Sequence, residues 1–272
     1  MLNLLERLLL NTMKRNKNTE KNYILITGAD SGIGKQFAIQ YSNIGYKIIL
    51  TARNLEKLKA VQAELKTESV IIIKDLSIMD NCYELLKEVE QYKIDMFINN
   101  AGFGDFGLIE ETNTEKALKM TDLNCKASLI LIKEFIKRFN KENSEKKILA
   151  VASAAAFCPA PYMAEYYATK AYLFRLVLGY RQELIDQKSK VKISILCPGP
   201  VKTNFEEVAN VKFQIKSLSA EKVVKYTIKK QKKNKTVIVP GAMIKCGHFL
   251  SKFANEKFAC KVLDKVAKNP NN

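Results

Sequence analysis

A single histidine, His248, is all the imidazole that 272 residues provide. A mechanism resting on Ser–His–Asp would have to be built around it, and nothing beside it looks like a nucleophile site; it reads as a surface or core residue of the C-terminal segment. Paired cysteine is missing as well. Cys82, Cys125, Cys158, Cys197, Cys246 and Cys260 are widely spaced and form no C-x-x-C, which argues against a metal cluster or disulfide framework and for a reducing compartment, the cytoplasm. Acids are in the minority, 28 against 45 Lys and Arg, for a formal net charge of +17. Such an excess favours solubility and attraction to anions. The lysines nevertheless scatter over every expected helix, and no zinc-finger spacing or other nucleic-acid signature accompanies them, so the charge reads as a solvated surface and no nucleic acid is expected. Long apolar runs are also lacking. Residues 2–10 (LNLLERLLL) are broken by Glu6 and Arg7, and no A-x-A-like cleavage site comes after them. Nine helical residues span about 13 Å, against the ~30 Å of a bilayer core. Residues 1–20 are expected to form an apolar and basic extension. Leu4, Leu5, Leu8 and Leu9 share one helical face, suited to a partner or to peripheral contact with a membrane; a frayed segment ahead of Met13 is the alternative.

What is present is a core-forming composition, 47% hydrophobic and 27% charged, which excludes global disorder. Short apolar runs of strand character at 23–27, 47–51, 70–74, 95–98, 148–152, 191–196 and 236–239 alternate with amphipathic stretches such as 32–44, 55–65 and 114–139. The runs are near-continuous in apolar residues rather than alternating, the mark of strands covered on both faces. Strand–helix alternation of this kind predicts an α/β fold, a doubly wound parallel sheet of about seven strands with helices on both faces. No Pro/Gly/Ser-rich linker or internal repeat divides the chain. One domain over 21–240 is expected, with a helical tail at 241–272.

The first strand runs into Thr27-Gly28-Ala29-Asp30-Ser31-Gly32-Ile33-Gly34 and then an amphipathic helix. Gly28 permits a tight turn, while Gly32 and Gly34 let backbone approach a pyrophosphate and let helix pack on sheet. Phosphates would sit against free N–H groups at the helix N-terminus, with Ser31 and Ile33 beside them. The second strand then lacks the carboxylate that NAD-selective folds place about 20 residues past the glycines to bind the adenosine ribose. It ends instead in Ala52-Arg53. No acid stands there to repel a 2′-phosphate and a guanidinium suits one, so NADP(H) is the expected cofactor.

Further along, Tyr166-Tyr167-Ala168-Thr169-Lys170 opens an expected helix, with Tyr166 and Lys170 four apart on one face. A phenol titrates near 10, and bringing it to neutrality costs about 4 kcal/mol. An ammonium about 4 Å away supplies up to about 4 kcal/mol at an effective dielectric near 20. Y-x-x-x-K alone is a weak pattern, and Tyr167 is the competing phenol.

The context makes it specific. The chain resembles the short-chain dehydrogenase/reductase family over about residues 21–240. The resemblance rests on the T-G-x-x-x-G-x-G turn (27–34), Asp75 after the third strand, N-N-A-G (99–102), Asn124, Ser153 thirteen residues before Tyr166, Y-x-x-x-K, and P-G-x-x-x-T at Pro198, Gly199 and Thr203. The stretches NNAGFGDF and AAAFCPAPYMAEYYATK look most like uncharacterised bacterial members related to ketoacyl and hydroxysteroid reductases. The resemblance implies that Tyr166 is the general acid/base, that Lys170 lowers its pKa and holds the nicotinamide ribose, and that Ser153 stabilises the developing oxyanion. It further implies that Asn124 holds a relay water, Asp75 contacts adenine, Asn99 lines the cofactor, and Val201 and Thr203 meet the carboxamide and phosphates. Asp30, an acid inside the phosphate turn, departs from the commonest pattern and suits a helix cap better than a cofactor contact.

A substrate is expected over the C-terminal strand ends. Its expected lining is apolar: Phe103, Phe157, Pro159, Ala160, Tyr162 and Met163 before Tyr166, then Phe205, Val208, Val211 and Phe213. Core packing is the competing use for several of these. Without a carboxylate- or phosphate-binding cluster, that lining points to a hydrophobic ketone of fatty-acyl, steroid or aliphatic type, reduced or formed by hydride transfer. A homo-oligomer, dimer or tetramer, is expected. The alternatives to an enzyme are a catalytically silent dinucleotide-binding regulatory protein, which would have no need of the Ser153–Tyr166–Lys170 set, and a membrane-associated scaffold that uses both basic ends.

Overall fold

The computed structural model describes residues 21–211 and 217–267. The extension at 1–20 and Phe213 lie outside them. The apolar runs form β1 (Lys21–Thr27), β2 (Tyr46–Ala52), β3 (Ser69–Ile73), β4 (Ile94–Asn99), β5 (Lys146–Val151) and β6 (Val191–Leu196). Two-residue strands β7 (Val201–Lys202) and β8 (Leu218–Ser219), with the short helix α7 (Phe205–Val208) between them in sequence, pair with each other, and β9 (Val237–Ile238) completes the main sheet. Its order is β3-β2-β1-β4-β5-β6-β9, with every pair parallel. This is the doubly wound seven-stranded sheet that the sequence predicts.

Because strand side chains alternate between faces, β1 sends Leu25 into one core and Ile24 and Ile26 into the other. Each half needs its own cover. On one face Phe37 of α1 (Gly32–Ser42), Leu58 of α2 (Leu55–Gln62) and Val223 of α8 (Ala220–Gln231) pack on the sheet. On the other it is covered by Leu85 of α3 (Met79–Glu88), Phe135 of α5 (Ser128–Glu142) and Val177 of α6 (Ala164–Asp186). Phe97 stacks on Phe135 at a centroid distance of 4.3 Å, which fixes α5 over β4.

The amphipathic stretch at 114–139 is not one continuous helix. It divides into α4 (Thr114–Thr121) and α5, joined by a π-helical turn over Asp122–Ala127. One extra residue in the turn rotates α5 relative to α4, and such bulges are common at functional sites. Asn124 sits inside this one.

Beyond the sheet, the chain returns over its own strand ends. Helix α9 (Ala242–Ser251) lays His248 on Phe157 with ring centroids 3.9 Å apart. Its Ile244 enters the space left by Gly199, where a Cβ would stand 2.6 Å from the isoleucine Cδ1. Helix α10 (Glu256–Ala267) is tied to the loop before Tyr166: the Tyr162 hydroxyl donates to Asp264 Oδ1 at 2.9 Å, and Cys260 Sγ lies 3.8 Å from the Pro159 carbonyl oxygen.

Candidate active site

Strand order reverses between β1 and β4, and a crevice opens there beyond the carboxyl ends of the strands. The glycine turn borders it. Gly28 has φ +62° and Gly32 φ +53°, the left-handed region that favours glycine. Gly34 is bound by space instead, since a Cβ there would lie 2.1 Å from the Gly28 carbonyl oxygen. The cap of α1 falls on Ser31, not on Asp30, and the Ser31 side chain makes no cap hydrogen bond. With no acid in that first turn either, its backbone donors and the positive end of the helix suit a phosphate. The residues fit a dinucleotide.

Of the two adjacent asparagines, Asn100 braces this turn. Its Nδ2 donates to the carbonyls of Thr27 (2.9 Å) and Gly28 (3.0 Å), and its backbone N–H to Thr27 Oγ1 (3.0 Å). Asn99, the expected cofactor-lining residue, is buried with its amide donating to Ser128 Oγ at 2.9 Å; its side chain serves the packing of β4 on α5. The next loop shares the crevice, with Thr203 Oγ1 accepting from the Phe205 N–H at 3.2 Å and Thr203 meeting the turn at Gly32. Val201 is buried beside it.

At the far end of β2, Arg53 stands exposed with its guanidinium 3.7 Å from Asp75 Oδ2. Asp75 also accepts from the N–H (3.0 Å) and hydroxyl (2.7 Å) of Ser77. Burial works to raise its pKa, yet the Ser77 bonds and Arg53 together hold it below the usual carboxylate value. The contact from Arg53 is longer than a hydrogen bond and mostly in solvent, so it leaves the guanidinium free to turn toward another anion.

Ser153, Tyr166, Lys170 and Asn124 converge at the ends of β4 and β5. Tyr166 and Lys170 are both buried on α6. Lys170 Nζ donates to the Val151 carbonyl at 3.3 Å and lies 5.7 Å from the Tyr166 ring centroid. A Cβ on Gly102 would meet both Asn124 Oδ1 (2.8 Å) and Lys170 Nζ (3.1 Å), so the three groups crowd one point. Asn124 is anchored there: its amide donates to the Phe103 carbonyl (2.9 Å) and Thr169 Oγ1 (3.0 Å), and its Oδ1 accepts from the Phe103 N–H (3.2 Å). Ser153 Oγ accepts from the Ala155 N–H at 3.2 Å.

Burial raises the Tyr166 pKa well above its usual value, and the hydrogen bond with Ser153 only partly opposes it. Burial also lowers Lys170, to about 8, with the neighbouring thiols Cys125 and Cys197 pulling the other way. Burial thus works against the effect expected of the Lys170 ammonium on the phenol. A dry site penalises phenolate and ammonium alike, and burial is the larger effect at both residues.

The substrate side is apolar. Met120, Ala155, Met163, Tyr166 and Ala209 form a small core of their own, with Phe103, Phe106, Tyr167, Phe205 and Val211 against it. Phe103, Met163, Phe205 and Val211 are thus brought together as the sequence suggests. Phe157 is not among them, because its ring packs on His248 and Phe174 in the α6 core. Tyr162 borders the group through Phe106, at a ring distance of 5.8 Å. Pro159 and Val208 are exposed and Ala160 is buried. Sequence reasoning missed Asn100, Phe106 and Met120; the N-N-A-G pattern contained the first, and no periodicity marks the other two. Among the described residues no cluster of three His, Cys, Asp or Glu suits a metal ion, and no described helix is long and apolar enough to cross a membrane.

Residues 22–212 match the family whose description is short chain dehydrogenase. An uncharacterised oxidoreductase of Staphylococcus epidermidis is 31% identical over 185 residues, covering 67% of this chain and 79% of its own. A 3-oxoacyl-(acyl-carrier-protein) reductase of Rickettsia bellii is 30% identical over 186 residues, 68% of this chain and 75% of that one. Among solved structures, a short-chain dehydrogenase from Sphingobium yanoikuyae in complex with NADPH superposes with a TM-score of 0.76 at 22% identity, covering 92% of this chain and 98% of the other.

Proposed function

The chain belongs to the short-chain dehydrogenase family, oxidoreductases that work between alcohol and ketone with a nicotinamide dinucleotide, and from that premise we propose an NADP(H)-dependent reductase of hydrophobic ketones. The observation that carries the reading is the convergence of Ser153, Tyr166 and Lys170 beside a glycine turn, under a wall of apolar side chains.

Bound, the dinucleotide supplies the hydride. Gly28, Ser31, Gly32, Ile33 and Gly34 would hold its phosphates, Thr203 and Val201 its carboxamide end, and Arg53 its 2′-phosphate, with Asp75 toward the adenine. Ser153 holds the carbonyl oxygen of the substrate and stabilises its developing charge. As the carbonyl carbon becomes tetrahedral, the Tyr166 hydroxyl gives its proton to that oxygen, leaving a phenolate that Ser153 and Lys170 stabilise. The Tyr166 hydroxyl, whose pKa burial raises, is protonated at neutral pH, the form a general acid needs in reduction. Asn124, fixed by three hydrogen bonds, sets the position of Phe103 and Thr169 around the pair. The apolar group of Phe103, Phe106, Met120, Met163 and Phe205 excludes water and suits a fatty-acyl, steroid or aliphatic ketone.

NADPH oxidation followed over a series of such ketones tests the activity. Tyr166→Phe should lose at least about 10²-fold in turnover while still binding coenzyme. Near-normal turnover would hand the acid role to Tyr167 or another group. In parallel titrations, Arg53→Ala should weaken NADPH about ten- to a hundredfold, the worth of a charged hydrogen bond, and leave NADH nearly unchanged. Tighter binding of NADH than NADPH by the wild type would overturn the cofactor assignment.

A further inference from the structure

Helix α9 is amphipathic in an unusual sense: its outward face is the apolar one. Ile244, His248 and Ser251, spaced at four and three, turn toward the domain. Met243, Phe249 and Leu250 turn away and are more than half exposed, and Phe253 after the helix is 76% exposed. Helix α10 continues the surface with Phe258 (64% exposed) and Val262 one turn apart. Exposed apolar side chains scattered singly need no explanation, whereas a contiguous set marks an interaction surface.

The charge around the set says what kind. Lys257, Lys261 and Lys265 repeat every four residues beside the Phe258–Val262 stripe, and Lys245 and Lys252 border the α9 face, all exposed. On the α8 side Lys245 and Lys230 both sit over the Tyr226 ring, at 5.0 and 5.2 Å. With Lys235 they line a cleft of about 320 Å³. Against these lysines the two helices set only Glu256 and Asp264, and the latter is bonded to Tyr162.

From this geometry we infer that the α9–α10 face docks on an anionic phospholipid surface, with its phenylalanines at the acyl boundary and its lysines among the phosphates. A basic, aromatic, amphipathic helix pair has this preference. A second copy of the chain is the competing occupant, but it would bring the same lysine-rimmed face against itself in a molecule of formal net charge +17. An anionic bilayer offers the opposite charge. Neither helix spans the membrane; both lie on it. The assignment does not depend on catalysis, and its test reads lipid rather than turnover.

The full chain should sediment with vesicles of mixed phosphatidylcholine and phosphatidylglycerol, stay in solution with phosphatidylcholine alone, and be released by high salt. Phe253→Glu and Phe258→Glu each take one aromatic ring from the acyl boundary and set a negative charge against the phosphates, so each should weaken binding about tenfold or more, with coenzyme binding retained as the check on folding. Leu5→Glu with Leu8→Glu, in the same full chain, should leave vesicle binding in place. Unchanged binding by the phenylalanine variants, or loss of binding only in the leucine variant, overturns the assignment. So would phenylalanine variants that turn a dimer into a monomer in sedimentation velocity while vesicle binding persists, because the face would then belong to a second copy.

Discussion

Burial acts in opposite senses on the two titrating groups of the site, and the difference is measurable. Lys170 is lowered to about 8 in the folded chain from an ordinary 10.5. Between those values the native state has released its proton while the unfolded state still holds one, so stability rises with pH across that window. Tyr166 is raised. Above about pH 10 the unfolded phenol ionises first, and its contribution then falls with pH. The interval from 8 to 10 lies below the phenol but spans the ordinary range of the thiols that burial raises, Cys82, Cys125, Cys158 and Cys197, so the lysine is read as a difference between two proteins that share them. Relative to Lys170→Met, the coenzyme-free wild type should gain up to about 1.4 kcal/mol per pH unit there, read from urea unfolding at several pH values. A difference that is flat across the interval would mean that Lys170 keeps its ordinary pKa inside the fold.

Among elements, the glycine turn is the one with least freedom. Gly34→Ala places a methyl 2.1 Å from the Gly28 carbonyl oxygen, a clash with backbone rather than with a movable side chain. The expected cost is about 3 kcal/mol together with loss of dinucleotide affinity. Gly179, within α6, has nothing within 4 Å of the same added methyl, so Gly179→Ala should stabilise by about 0.5–1 kcal/mol. Unfolding midpoints of the two variants should move in opposite directions. Elements of this kind were legible in the sequence, because a turn that needs three glycines between an apolar run and an amphipathic helix has few other uses. The π-helical turn was not. Apolar spacing over 114–139 is the same on either side of it, and one added residue leaves no mark in a pattern that tolerates both threes and fours. The two asparagines at the end of β4 show a related limit: neighbours at a strand end face opposite ways, and N-N does not say which is which. Asn100 received the turn and Asn99 the core.

For the molecule as a whole, the sheet order, its two cores and the grouping of Ser153, Tyr166 and Lys170 come from segments whose patterns are local or recur at known intervals. What escaped depended on partners distant in the chain. Phe157 reads as a substrate contact until α9 supplies His248, 91 positions later, as its neighbour. Phe106 and Met120 join the apolar group only because the loop after β4 and then α4 pack back against α6 and the loop before it. The bond between Tyr162 and Asp264 is another of these long ties, joining residues 102 positions apart. A ribosome adding about 5–20 residues per second needs about 5–20 s to travel that distance. From Lys170 onward, which is most of that interval, the nascent chain contains Ser153, Tyr166 and Lys170, while the helix that clamps the adjoining loop has yet to be made. Until Asp264 is made, the loop before Tyr166 lacks that tie and depends on contacts from earlier in the chain, such as the Gly107 N–H donating to the Tyr162 carbonyl at 3.0 Å.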